Sequence, residues 1–175
     1  MDLVLPDALP SDDERAAVDA VLGPATSGWS GGERAIEFEG RVARRGEAHD
    51  RRHQLLPVLH ALQARAGWIS PGGLRYACER LTVPPAEAYG VATFYAMFST
   101  EERPERVVHV CDDIACRVAG AENLIGDLER ELGSERENQL LRSPCLGMCE
   151  RAPAALMQTF GNEASDTAIG PVSVE

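Results

Sequence analysis

The sequence contains no apolar segment near the roughly 18 residues that a membrane-spanning helix needs. Its richest apolar segment, residues 55–62, is interrupted by Pro57 and His60. Residues 1–7 also lack the basic and then apolar pattern of a signal peptide. We therefore expect a cytoplasmic protein, which only partner subunits would hold at the cytoplasmic face of a membrane.

Positive charge is scarce as well. The chain has 28 acidic and 17 basic residues, a net charge of −11 at pH 7. No basic stripe with interleaved aromatic residues occurs, so we expect no nucleic-acid partner, and ordinary solubility accounts for the acidity. No glycine-rich fingerprint follows a predicted strand, which argues against a nicotinamide or flavin site on this chain. Any hydride chemistry would belong to a partner.

The cysteines are few but unevenly placed. Five cysteines are about 3% of the chain, well below the roughly 8–10% of a disulfide scaffold. Four of them form two pairs, Cys111 with Cys116 and Cys145 with Cys149. Four residues separate the first pair, three separate the second, and 28 lie between the pairs. This pattern is typical of a site with four thiolate ligands, and a reducing cytosol would keep the thiols available for metal.

Spacing alone leaves several kinds of site open. Structural zinc sites usually hold the metal with cysteines two residues apart, and neither pair has that spacing. The four-residue gap is the one found in plant-type ferredoxins, which favours an iron–sulfur cluster. A thioredoxin-type redox motif would need a two-residue gap. Disulfides within each pair are sterically feasible but disfavoured by the expected compartment, so zinc and redox thiols remain the alternatives.

The chain divides into three predicted zones. Residues 1–46 form an N-terminal extension, partly flexible at residues 23–24 and 27–32. In it, Ser11 and Glu14 suit a capping box that opens a short helix through Leu22. Residues 47–100 are predicted to form a helical bundle. Residues 101–175 form a domain that contains both cysteine pairs.

Helical periodicity defines the bundle. Leu55, Leu59 and Leu62 recur at spacings of three and four, which predicts an amphipathic helix from near His53 to Gly67. Two further helix starts are predicted at residues 70–71 and 84–85, where a proline can occupy the first turn. The third helix is predicted to include Ala88, Val91, Ala92, Tyr95 and Met97.

The pattern changes at Arg106. Valines at 107, 108 and 110 suit a strand, and apolar residues at helical spacing over 121–132 suit a helix ended by Gly133. Residues 140–141 and 154–157 are short strand candidates. Strand, cysteines, helix, strand, cysteines and strand in that order predict an α/β arrangement with the cysteines at loop tips.

The residues around the cysteines resemble a known family. They are His109-Val110-Cys111, Cys116 followed by Gly120-Ala121, and Cys145-Leu146-Gly147-Met148-Cys149 with Ala152-Pro153. Upstream, Gly67-Trp68-Ile69 and the segment from Tyr89 to Phe98 are similar to the helical domain of the same family. Over about residues 50–160 the sequence resembles the thioredoxin-like [2Fe–2S] ferredoxin family.

This resemblance implies a fold and a ligand set. The fold would be α/β (α+β), an N-terminal helical bundle followed by a thioredoxin-like [2Fe–2S] domain. Cys111, Cys116, Cys145 and Cys149 would bind one [2Fe–2S] cluster, two cysteines to each iron. No catalytic residue is expected, because the chain would relay electrons and have no substrate site of its own.

The resemblance also implies partners. The chain would sit beside the flavoprotein of an NADH-linked oxidoreductase, with FMN and NAD on that NADH-binding subunit and with further iron–sulfur subunits. A complex I-like NADH:quinone oxidoreductase is the first expectation; the gamma-type subunit of an NAD-dependent formate dehydrogenase or a bidirectional hydrogenase is the alternative. A structural zinc-binding interaction module is the alternative from another class, and a redox sensor is a third.

Several other residues receive predictions. Positive charge near the cluster would come from the start of the helix after Cys116. Arg117, Arg142 and Arg151 are candidates to add to it, but a solvated surface charge is the favoured interpretation for each of them. Gly147 would form a turn too tight for a Cβ. Cys78 would be a packed core thiol. Core and interface anchors are predicted at Trp68, Tyr89, Phe94 and Tyr95, and a solvated helical face is predicted for His49, His53 and His60.

Overall fold

The computed structural model describes residues 8–24, 51–132 and 138–173. The chain forms two compact units, Met1–Glu102 and Arg103–Glu175. The first is helical, with α1 (Asp12–Leu22), α2 (Leu55–Ala66), α3 (Pro71–Leu81) and α4 (Pro85–Phe94). The second contains β1 (Arg106–Cys111), α5 (Ile114–Val118), α6 (Ala121–Leu132), β2 (Asn138–Ser143), β3 (Ala155–Thr159) and β4 (Ser165–Ile169).

The predicted capping box at the start of α1 is present. The Glu14 N–H donates to the Ser11 hydroxyl over 3.1 Å, and the Ser11 N–H donates to the Glu14 carboxylate over 2.7 Å. Two donors that the helix would leave without partners are thereby satisfied. Helix α1 then packs on α2 and α3, so the segment predicted as an extension contributes a helix to the helical unit. The segment 27–32 lies outside the described residues.

The other helices begin and end where local chemistry predicts. Pro57 lies in the first turn of α2, where its missing N–H removes no helical bond, and Gly67 ends the helix with a positive φ of 83°. Ser70 caps α3 by accepting the Gly73 N–H over 2.9 Å. Helix α4 ends at Phe94, so the prediction that it continues through Tyr95 and Met97 is wrong.

One contiguous apolar core fills the helical unit. Val18, Leu59 and Leu62 are fully buried in it together with residues of α3 and α4. The buried Glu14 also accepts the Ser70 hydroxyl, so one carboxylate joins the N-termini of α1 and α3. A Cβ at Gly72 would overlap the Leu9 carbonyl, and this close approach requires glycine.

The second unit contains a four-stranded mixed sheet with the order β2-β1-β3-β4. Strands β1 and β2 are parallel, with α5 and α6 in the crossover, and β3 and β4 are antiparallel to their neighbours. The parallel register pairs Cys111 with Ser143, so β1 and β2 end at the same edge. Because β3 runs the other way, its first residue, Ala155, lies opposite Val110 at this edge. Both cysteine segments therefore leave the sheet at one end.

The sheet unit has a smaller core than the helical unit. Val110, Leu124, Ile125 and Ala155 form its buried cluster between α6 and one face of the sheet. The predicted β1, α6, β2 and β3 are all present, whereas β4 was not predicted. In the part of the chain that the structure describes, no helix has the length and apolarity to span a bilayer. The expected α/β architecture, helices first and sheet second, is confirmed.

Candidate metal centre

The first cysteine pair is held by a strand end and a short helix. Cys111 is the last residue of β1, and its N–H donates to the Ala154 carbonyl over 3.0 Å. Cys116 lies inside α5, which Asp113 caps by accepting the Ile114 N–H over 2.8 Å. Both sulfur-bearing residues are buried. The prediction that this pair lies at a loop tip is wrong, because Cys111 ends a strand and Cys116 lies in a helix that Asp113 is well suited to start.

The second pair lies on an exposed turn after β2. The Cys145 and Cys149 sulfurs are 3.4 Å apart, and the Gly147 N–H points at the Cys145 sulfur over 3.4 Å. Gly147 has a φ of +76°, and no heavy atom lies within 4 Å of the position that a Cβ would take. Glycine is therefore required for its left-handed backbone. The predicted reason, a turn too tight for a Cβ, is wrong.

The four sulfurs are close enough to influence one another's ionisation. Burial raises the pKa of Cys116 most, and the neighbouring Cys111 and Cys145 raise it further, while a backbone hydrogen bond from Ala154 opposes them. The pKa of Cys149 is raised mainly by its contact with Cys145, and also by Cys116 and Cys111. The thiolate forms of Cys116 and Cys149 are therefore disfavoured, and a bound cation would stabilise them.

The donors form two pairs. The sulfurs of Cys145 and Cys149 are in hydrogen-bond contact, and Cys111 is near enough to Cys116 to raise the pKa of its thiol. Among residues 8–24, 51–132 and 138–173, no three His, Cys, Asp or Glu side chains are arranged as the ligands of one metal ion would be. Paired thiols with backbone N–H donors directed at two of the sulfurs suit a two-iron cluster with two cysteines per iron, so the residues present fit that group.

Apolar side chains surround the sulfurs. Cys111 and Cys116 pack with the buried Ala121 and Ala154, and three partly buried residues of the second cysteine segment cover them: Leu146, Met148 and Ala152. This shell lowers the local dielectric and limits water at the first pair. Sequence reasoning did not single out Leu146 and Met148 as shell residues, although their positions between the cysteines of the second pair were a usable signal.

Two of the predicted arginines are neutralised. Arg142 donates to both carboxylate oxygens of Glu122 over 2.9 Å each and lies 3.5 Å from Asp112. Arg117 lies 3.9 Å from Asp112 and 3.8 Å from Glu122. The hydrogen bond from Arg142 also lowers the pKa of Glu122. Arg117 and Arg142 are thus exposed surface charges, the favoured interpretation, and they add no net positive charge because two carboxylates that sequence reasoning missed neutralise them. One of these carboxylates directly follows Cys111.

Residues away from the sulfurs divide into buried and exposed groups. Cys78 is buried in the helical core, as predicted, and burial raises the pKa of its thiol to about 12. Phe94 is 80% exposed and Tyr95 and Tyr89 are exposed too, so these three residues are not core residues, and their role as interface anchors stays a prediction. They form an apolar surface on α4 and the segment after it. His53 and His60 are exposed, and His49 lies outside the described residues.

The fold and the four thiols together define a class, an α/β domain with two thiol pairs at one edge of its sheet. The chain belongs to the thioredoxin-like [2Fe–2S] ferredoxin family, whose model matches residues 42–167. Membership confirms both the expected family and the thioredoxin-like character of the second unit, and it supports an iron–sulfur cluster as the group for the four thiols.

Two bacterial relatives are similar to the chain, and both are named as a component of NADH-quinone oxidoreductase. The chain is 30% identical over 126 residues to the one from Pseudomonas aeruginosa and 31% identical over 132 residues to the one from Mycobacterium tuberculosis. These matches cover 67% and 70% of this chain. They span 76% of the Pseudomonas protein and 52% of the Mycobacterium protein.

A solved structure is similar as well. It is that of an NAD+-reducing [NiFe]-hydrogenase in the H2-reduced state, with 26% sequence identity and a TM-score of 0.51. The match covers 59% of this chain and 18% of the hydrogenase chain. The likeness therefore concerns one module of a longer protein.

Proposed function

We propose that this protein is an electron-transfer subunit that holds one [2Fe–2S] cluster on Cys111, Cys116, Cys145 and Cys149. The observation that carries the proposal is the convergence of two thiol pairs at one sheet edge in a chain of this family. The cluster, when bound, would accept and release single electrons. The cysteines hold it in place, and the N–H groups of Gly147 and Ala154 stabilise negative charge on two of the sulfurs.

The partner in this proposal is a flavoprotein that binds NADH, with FMN and NAD on that partner. The names of the relatives support it, since they are subunits or modules of enzymes that use NADH or reduce NAD+. The protein would act in the cytoplasm, and partner subunits would link it to any membrane. We assign the flavoprotein to the exposed surface of α5, where Ile114 is 79% and Val118 is 86% exposed on the helix that contains Cys116. A partner seated there lies next to the thiol site, which keeps the path for an electron short.

Of the expected parent complexes, the relatives and the similar structure favour two. The similarity to two components of NADH-quinone oxidoreductases favours a complex I-like NADH:quinone oxidoreductase. The structural likeness to an NAD+-reducing hydrogenase favours a bidirectional hydrogenase as the second candidate. Co-purification of the native protein followed by mass identification of its neighbours decides between them, because a quinone-linked set and a nickel enzyme differ in composition.

Metal analysis tests the function itself. Anaerobically prepared protein should be brown, contain about two irons and two sulfides per chain, and give a paramagnetic signal after reduction with dithionite. The same preparation should bind an NADH-oxidising flavoprotein, and Ile114→Asp should weaken that binding without changing the iron content. A colourless protein with one zinc per chain would overturn the proposal in favour of a structural zinc module.

A further inference from the structure

Four charged side chains form a network beside the first cysteine pair. We call Asp112, Arg117, Glu122 and Arg142 the charge network. Asp112 directly follows Cys111, and Arg117 directly follows Cys116. Glu122 lies in the first turn of α6, and Arg142 lies on β2 next to Ser143, the strand partner of Cys111. The network therefore joins three elements that position the first pair.

Arg142 is the centre of the charge network. It makes the bidentate contact to Glu122 at 2.9 Å and reaches Asp112 at 3.5 Å, whereas the contacts of Arg117 are 3.8 and 3.9 Å. A planar guanidinium that donates twice to one carboxylate is held in a fixed orientation. Arg117 is too distant to replace those hydrogen bonds. Without Arg142, two carboxylates beside the cysteines would share one loosely placed cation.

Such a change in charge matters to an iron–sulfur centre. The reduction potential of a cluster depends on net charge, hydrogen bonds and solvent exposure around its sulfurs. A negative charge nearby disfavours the added electron, so an unpaired carboxylate lowers the potential. The side chain of Asp112 is 27% exposed, which leaves its charge less screened than that of a fully hydrated residue.

We infer that Arg142 is a positioning residue that neutralises Asp112 and Glu122 and thereby raises the reduction potential of the centre. The inference rests on the proposed function and extends it from the four ligands to a residue that changes the reduction potential of the same site. Arg142 and Glu122 are half exposed, so their pair contributes little to stability, and its effect on the potential comes from its place beside the first cysteine pair. The contacts among its members assign the effect on the reduction potential to the charge network as a whole.

The test is an EPR-monitored redox titration of the full-length, cluster-loaded chain. Arg142→Gln should shift the potential to lower values, and Glu122→Gln should shift it to higher values. The double variant should return close to the wild type, since one charge of each sign is lost. Arg142→Lys keeps the charge and should lie between the wild type and Arg142→Gln. High salt should reduce the difference in reduction potential between the wild type and Arg142→Gln, because it screens the charges.

A matched control comes from the other end of α6. Arg130 forms an exposed ion pair with Asp127 on the same helix. Arg130→Gln removes the same charge from the chain and should leave the potential unchanged. An equal shift in Arg130→Gln and Arg142→Gln would overturn the inference, because it would show a response to overall charge.

Other outcomes separate the two proposals. If the wild type holds a cluster and neither Arg142→Gln nor Glu122→Gln moves its potential, the inference fails and the proposed function stands. If Arg142→Gln fails to assemble a cluster, the upward shift in Glu122→Gln decides: its presence supports the inference and its absence overturns it. A wild type without iron would sink the proposed function itself.

Discussion

The two compact units use their arginines differently. In the helical unit, Arg80 pairs with Asp19 and donates to the Gly23 carbonyl over 2.7 Å, and the Tyr76 hydroxyl donates to Asp19 over 2.9 Å. In the sheet unit, Arg142 and Glu122 pair at the surface, each about half exposed. The first set joins α1 to α3, two helices that share the larger apolar core. The second set lies beside thiols and leaves its charges hydrated. The larger buried apolar cluster lies in the helical unit, and the four paired thiols lie in the sheet unit.

Removal of one paired cysteine should have the largest effect and should break this contrast most clearly. Cys149→Ala deletes one of four sulfurs and should abolish the paramagnetic signal of the reduced cluster, with iron falling well below about two per chain. Cys78→Ala deletes a thiol from the helical core and should leave both readouts intact. EPR and iron analysis measure them. A signal lost only in the Cys78 variant would show the ligand assignment to be wrong.

Truncation in the larger core should have the next largest effect. Leu62 is fully buried among the helices, so Leu62→Ala should lower the free energy of unfolding by about 2–5 kcal/mol through lost burial and a cavity. Leu56 lies on the same helix but is partly exposed, so Leu56→Ala should change the free energy of unfolding by only about 0.5 kcal/mol. Urea unfolding followed by circular dichroism measures both. Equal losses in the two variants would contradict a core on one face of α2.

Loss of the Glu14 carboxylate, which joins the starts of α1 and α3, should have the third largest effect. Glu14→Ala leaves the Ser11 N–H and the Ser70 hydroxyl without their acceptor, which should cost about 2 kcal/mol of unfolding free energy. Asp12→Ala, on the exposed side of the same turn, should cost at most about 0.5 kcal/mol. The same urea titrations apply. No difference between these variants would mean that Glu14 does not join the two helix starts.

A change from glycine to alanine should lower the stability of the protein at Gly147 and raise it at Gly126. These two effects should be the smallest. Gly147→Ala forces a Cβ into a left-handed backbone and should destabilise the protein by about 1 kcal/mol. Gly126→Ala, inside α6 with open space around its Cβ position, should stabilise it by about 0.5–1 kcal/mol. Thermal unfolding of the full chain compares them. A stabilising Gly147→Ala would contradict the backbone argument.

Sequence reasoning located the elements whose cause is local. The capping residues Ser11 and Ser70 and the helix end at Gly67 follow from side chains within one turn, and all three are confirmed. Strand β4 was missed for the opposite reason. Its residues, 165–169, are all exposed and show no apolar alternation, and it is a strand because it pairs with β3. Pairing between strands is a property of the fold.

In the candidate site, too, only the features that depend on neighbouring residues were readable from the sequence. The two cysteine pairs were visible in spacing, because each pair is local to one short segment. Asp113 as a helix cap, directly after Cys111 and Asp112, was also a readable signal that went unused. The partners of Arg142 were not readable, since Glu122 is 20 residues away in sequence and meets it only through the crossover between β1 and β2.

By itself, the sequence determined the four thiols, the order of α1 to α4, β1, α6, β2 and β3, and the family to which the chain belongs, because these depend on residues close together in the chain. The tertiary structure alone decided that both thiol pairs meet at one sheet edge. It also decided that Glu14 joins two helices, that Phe94 faces solvent and that the arginines beside the thiols are neutralised. The physical reason is that strand register and helix packing bring distant residues into contact, and short-range patterns do not encode those contacts.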